Sequence, residues 1–165
     1  MIIKTLMDTL SEEQIRDTLQ GRDSKIDIIK VDRVYYPFAK IIYGITMKSK
    51  GMLKKFDRKM MCNVDMVHGR PAVGQGKPTF VDLEIDDIMA IPSQIEEKTL
   101  DGIGHDYVMK IFVGKMKILH TPQIQVEDIE YFHKLFYLVQ CRDEREMDYF
   151  VLVDSMDSNI AILDC

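Results

Sequence analysis

The residues through which this chain could do chemistry are its histidines, its cysteines, a glycine-rich stretch and a run of carboxylates. His68, His105, His120 and His133 form no spaced ligand motif such as H-E-x-x-H, in which two imidazoles one helical turn apart share a metal. They read as surface or structural histidines, so no metal ligand is expected and no catalytic residue is assigned. His105 stands beside Asp106, and His68 opens the glycine-rich loop, but pairing across a fold is not readable from one sequence. Gly69 to Lys77, with Gly74, Gly76, Arg70 and Lys77, holds amides and cations that could cradle an anion. It has neither Walker A spacing nor G-x-G-x-x-G, and no helix follows directly to aim its N-terminus at a phosphate, so a flexible linker is the expectation. Asp82, Glu84, Asp86 and Asp87 could bind a hard cation, yet they lack the glycine turn and terminal glutamate of a calcium loop and read as an exposed edge. Tyr35-Tyr36-Pro37-Phe38 is the most distinctive string. Aromatics around a proline suit an edge-strand recognition surface, because tyrosine adds contact area at small entropic cost, and they suit a core corner equally. The candidate ligand-binding residues are Tyr35, Tyr36, His68 and Arg70.

The chain that must position these groups has 165 residues, 46% hydrophobic and 30% charged, which is enough for one domain or two small ones with a real core. Its net charge of -5 sets up a field that repels phosphate backbones, so nucleic acid is a disfavoured partner. The local exception is Lys48, Lys50, Lys54, Lys55, Arg58 and Lys59, which reads as a solvated connection between strands. No apolar stretch reaches the roughly 18 residues that span a bilayer, and the N-terminus lacks the apolar run and cleavage site of a secretory signal. Cys62, Cys141 and Cys165 contain no C-x-x-C pair, so neither a disulfide framework nor a structural zinc site is indicated. A cytoplasmic protein without a cofactor and without a membrane is expected. Cys62 and Cys141 lie in apolar runs and read as small core residues.

Ser11-Glu12-Glu13-Gln14 is a capping box, which predicts a short helix burying Ile15 and Leu19 and ending near Gly21. Residues 25–36 and 40–47 read as two strands separated at Pro37. Arg58 to Val67 reads as a third strand, with Met60, Cys62, Val64 and Met66 on one face. His68 to Pro78 reads as a loop and as the boundary between halves, followed by an extended segment from Thr79 to Ile85. Ser93-Gln94-Ile95-Glu96 predicts a second capping box, and Ile103, Tyr107 and Ile111, with Val108 and Phe112 beside them, an apolar helical stripe that Gly102 and Gly104 could split. Strands are expected over 125–131, 134–141, 147–154 and 160–163.

Two stretches of the chain can be overlaid. Val31 to Tyr36, leading into Ile41-Ile42-Tyr43, matches Val126 to Tyr131, leading into Phe136-Tyr137-Leu138. Val64-Asp65, Gly69 and Ala72 match Val153-Asp154, Ser158 and Ala161 at identical spacings. This hairpin resembles the strand pair that closes small bacterial sheet modules, including those in peptidase propeptides; the likeness spans only the hairpin and implies no activity. Repetition of this kind speaks of architecture. The expectation is an α+β fold of two helix-plus-antiparallel-sheet repeats related by internal pseudo-symmetry, residues 1–76 and 77–165, or one merged domain. The leading functional expectation is a binding or assembly module without catalytic activity that engages a protein or small ligand. The alternative is a small metal-dependent hydrolase using histidine and carboxylate ligands. Exposed strand edges suggest a homodimer.

Overall fold

The computed structural model describes residues 1–47, 56–116 and 121–163. The described chain is a mixed α+β fold of two helices and eight strands, in which antiparallel pairing dominates. In chain order the elements are β1 (Ile2–Leu6), α1 (Glu12–Arg22), β2 (Asp27–Met47), β3 (Phe56–Asp65), β4 (Pro71–Val73), β5 (Phe80–Glu84), α2 (Glu97–Met116), β6 (Gln123–Arg142), β7 (Asp148–Asp154) and β8 (Ile160–Leu163). Among the described residues no helix is long and apolar enough to cross a membrane. By contact the chain divides into two units. The first comprises Met1–Tyr36, Pro78–Ile91 and His133–Cys165; the second comprises Pro37–Lys77 and Pro92–Phe132.

In the first unit, α1 starts where the sequence predicts. Ser11 Oγ accepts from Gln14 N at 3.3 Å while Ser11 N donates to Gln14 Oε1 at 2.8 Å, so two otherwise orphaned helix donors are satisfied. The helix buries Ile15 and Leu19 in a core with Tyr137, Val139 and Cys141 of β6 and Val151 and Val153 of β7. β6 and β7 pair antiparallel from Phe136↔Asp154 to Arg142↔Asp148, and β7 continues into β8 through the Asp154 turn. β1, which the sequence does not announce, pairs antiparallel with β5 and meets β6 in parallel at Thr5↔His133, where Thr5 Oγ1 donates to His133 O at 2.9 Å.

In the second unit, β2 pairs with β3 from Phe38↔Asp65 to Met47↔Phe56. The predicted alternation holds: Cys62, Val64 and Met66 are buried and pack with Ala39, Ile41, Tyr43 and Ile45. The helix α2 covers this face with Leu100, Val108 and Phe112. Val108 and Phe112 of the predicted stripe are thus its buried part, in a row with Leu100, while Ile103 and Tyr107 are partly buried and flank it. Gly104 sits in that row because α2 passes close to the sheet there: a Cβ would lie 2.2 Å from Tyr43 Oη. Gly102 and Gly104 do not split the helix.

Three further local expectations are corrected. Pro37 does not divide β2, because the ladder to β3 begins at Phe38 and Pro37 is asked only for its carbonyl, which accepts from Met66 N at 3.0 Å. Ser93 does not cap α2; its hydroxyl bonds Met66 O at 3.2 Å, and the helix begins at Glu97. Part of the predicted loop is a strand, since Pro71–Val73 pairs with Cys62–Val64.

Candidate functional site

Alternation along β2 sends Tyr35 and Tyr36 to opposite faces. Tyr35 is 3% exposed within the first core, where burial pushes its phenol upward and Arg33 partly offsets this. Tyr36 lies on the other face, edge-on to Phe136 with centroids 6.0 Å apart. Beside that pair, Lys134 and Asp154 form an ion pair whose side chains are 23% and 14% exposed, and Lys134 Nζ lies 5.4 Å from the Phe136 centroid. The face of the β6–β7 sheet opposite α1 thus carries aromatic surface around a partly desolvated cation and carboxylate.

His68 and Arg70 belong to the second unit, in the turn from β3 to β4. Asp65 organises this turn: one carboxylate oxygen accepts from Val67 N at 2.8 Å and His68 N at 3.1 Å, and the other meets His68 Nδ1 at 3.2 Å. Two amide donors and an imidazole fix the carboxylate, and the carboxylate fixes the ring. The turn closes through Gly69, whose φ of 69° is the left-handed conformation, and through Asp65 N donating to Arg70 O at 3.0 Å. His68 and Arg70 are exposed. On the sheet beside them, Phe38 stacks on Phe132 at 5.7 Å, and Lys40 pairs with Glu130, with side chains 12% and 24% exposed. Asn63 stands opposite Lys40 in the ladder.

The sequence does not single out Lys40, Glu130, Lys134 or Asp154 as site residues. Alternation puts Lys40 on the face opposite the buried Ala39 and Ile41, where a charged residue is ordinary, so Phe38-Ala39-Lys40-Ile41 carries no signal of the pair. The remaining candidates are dispersed. His105 Nδ1 lies 3.8 Å from Asp106, and half-buried His133 is pushed below the ordinary imidazole value by desolvation. His120 and Cys165 lie outside the described residues, as do Lys48, Lys50, Lys54 and Lys55 of the basic cluster. Lys59 of that cluster bonds Glu127 at 2.8 Å beside a cleft of about 370 Å³, and Gly44 leaves the room that the Glu127 carboxylate occupies. Cys62 and Cys141 are fully buried; burial drives the Cys62 thiol to about 11, which removes thiolate character at neutral pH. Among the described residues no group of three or more His, Cys, Asp or Glu is placed to hold a metal ion. No family, curated protein or solved structure matches this chain.

Proposed function

We propose that the protein is a binding and assembly module without catalytic activity, made from one helix-and-hairpin element used twice. The observation that carries this reading is that the two hairpins share one hydrogen-bond plan. Phe38↔Asp65 and Phe136↔Asp154 open them. Asp65 Oδ1 accepts from Val67 N at 2.8 Å, and Asp154 Oδ1 from Met156 N at 2.9 Å. Gly69 and Ser158 are both left-handed, with φ of 69° and 56°. Met66 N bonds Pro37 O, and Ser155 N bonds Leu135 O. Even the entry to the packed helix agrees: Gln94 N reaches Met66 O in one unit, and Leu10 N reaches Ser155 O in the other. By this register Phe38, rather than Ile41, takes the place of Phe136, which adjusts the overlay read from the sequence.

Duplicated scaffolds of this sort present two sheet faces and two turns to a partner. The contact residues in this reading are Tyr36, supported from the core by Tyr35, in the first unit, and His68 and Arg70 in the second. The ligand is a protein or a small molecule, and assembly with a second copy is part of the same reading. A fragment screen by protein NMR tests the site: shifts should gather at Tyr36, His68 and Arg70 and vanish for fragments at the turn in His68→Ala/Arg70→Ala. Hits that keep their affinity in that double variant would refute it.

One observation favours the alternative, a metal-dependent hydrolase. Asp65 orients His68 through Nδ1, which is the arrangement of a carboxylate behind a catalytic or metal-bound imidazole. Elemental analysis of the purified protein decides: stoichiometric zinc, manganese or iron lost in His68→Ala would replace the binding reading with this one.

A further inference from the structure

We infer that β8 is a self-association edge, along which two copies of this chain join their sheets antiparallel about a two-fold axis. The inference rests on the assembly part of the proposed function and names the surface. It comes from comparing the strands that, among the described residues, pair on one side only: β4, β5 and β8.

In an antiparallel ladder the hydrogen-bonded pairs alternate with pairs whose N–H and C=O groups point away from the partner strand. Asp154 N donates to Asn159 O at 2.9 Å, and the ladder then runs Val153↔Ile160, Leu152↔Ala161, Val151↔Ile162. Ile160 and Ile162 therefore direct their main-chain groups outward. The same construction on β4, from Asp65 N to Arg70 O and Gly74 N to Met61 O, turns Pro71 and Val73 outward. Pro71 has no N–H to offer. On β5, the bonds Met7 N to Thr79 O and Ile85 N to Met1 O turn Phe80, Asp82 and Glu84 outward. A second copy approaching there would set carboxylate against carboxylate on a chain that already carries -5. Proline and charge are the ordinary defences of an edge, and β8, Ile160-Ala161-Ile162-Leu163, has neither.

The strand also fits itself. With Ala161 of both copies on the axis, Ile160 of each copy faces Ile162 of the other, and the outward groups make four N–H···O=C bonds. The central pair is then of the closely spaced, non-hydrogen-bonded kind, where small alanine side chains meet without crowding. Ile162, 69% exposed, is covered by Ile160 of the second copy, itself packed against the first core. A contact of this size is below that of a standard stable interface, so the dimer is weak and concentration-dependent.

Sedimentation equilibrium on the full chain tests this. The weight-average mass should climb from one copy towards two between about 10 µM and 1 mM. Ile162→Lys should weaken association at least about tenfold while circular dichroism and melting stay those of the parent. Val73→Lys on β4 should leave association unchanged. A parent chain that stays monomeric at the top of the range overturns both the edge and the assembly reading. A dimer that survives Ile162→Lys, or that Val73→Lys disrupts, overturns the edge alone.

Discussion

Replacing Gly104 by alanine should destabilise the protein, although alanine is the better helix former. A Cβ there would lie 2.2 Å from Tyr43 Oη, 3.0 Å from Tyr43 Cζ and 3.1 Å from Ile41 Cδ1. An oxygen at the end of a side chain could ordinarily swing aside. Tyr43 is completely buried, however, and its hydroxyl donates to Asp101 O at 3.3 Å, so moving the ring loses that bond and disturbs the core. Overpacking costs about 1–3 kcal/mol, and the lost hydrogen bond about 0.5–1.5 kcal/mol. The gain in helix propensity returns about 1 kcal/mol, leaving a net loss of roughly 0.5–3.5 kcal/mol. Gly102 is an internal control, because nothing lies within 4 Å of its built Cβ. Gly102→Ala should therefore stabilise by about 0.5–1 kcal/mol. Urea unfolding followed by circular dichroism reads both, and the two variants should differ by about 1–4.5 kcal/mol. Tyr43→Phe removes the oxygen that the new methyl meets, so the double variant Tyr43→Phe/Gly104→Ala should show a coupling of about 1 kcal/mol. Equal responses at the two glycines, or no coupling with Tyr43, would refute the close approach of α2 to the sheet.

Ile15→Ala empties a fully buried position of α1 and should cost about 2–5 kcal/mol in the same unfolding assay. His133, whose imidazole is depressed by burial, is neutral in the folded state below the pH at which the unfolded chain takes up its proton, near 6.5. Stability should thus be complete above that pH and decline as pH falls from it towards the folded value; His133→Gln should flatten this part of a melting-temperature profile. With Cys165→Ser removing the chain-terminal thiol, an aromatic disulfide reagent should find no reactive cysteine in the native protein and both Cys62 and Cys141 in denaturant, as their burial dictates. Tyr131 donates to Glu97 at 2.8 Å, and burial together with that bond pushes its phenol to about 12. An ultraviolet titration of Tyr131→Phe should therefore lose one of the late-ionising tyrosines.

Elements set by neighbouring residues are legible in the sequence. The Ser11 box works over four residues, and β3 announces itself by alternating Cys62, Val64 and Met66 with Asn63 and Asp65. What depends on distant chain is not. β1 is a short apolar segment whose strand character comes from β5 and His133, far along the sequence. The stripe of α2 is legible in Val108 and Phe112, but its extension to Leu100 is not, because Gly104 between them has no side chain to reveal the face. Pro37 reads as a break because its lost donor is visible in the sequence, whereas the position of the ladder that makes the loss harmless is not. In the candidate site, the string Tyr35-Tyr36 is conspicuous, but which tyrosine is core follows from which face α1 covers. The pair Asp65 and His68 lies within one turn and could be found from an Asp followed by an imidazole three residues on; Lys40 with Glu130 could not, since the partners are remote in sequence.

The central claim is that one helix-and-hairpin element occurs twice, with α1 seated on β6 and β7 and α2 on β2 and β3. Methyl–methyl nuclear Overhauser contacts in solution test it most directly. Ile15 and Leu19 should contact Val139, Val151 and Val153, and Leu100 and Val108 should contact Ile41, Ile45 and Val64. Contacts from Ile15 and Leu19 to Ile41 and Val64 instead would contradict it.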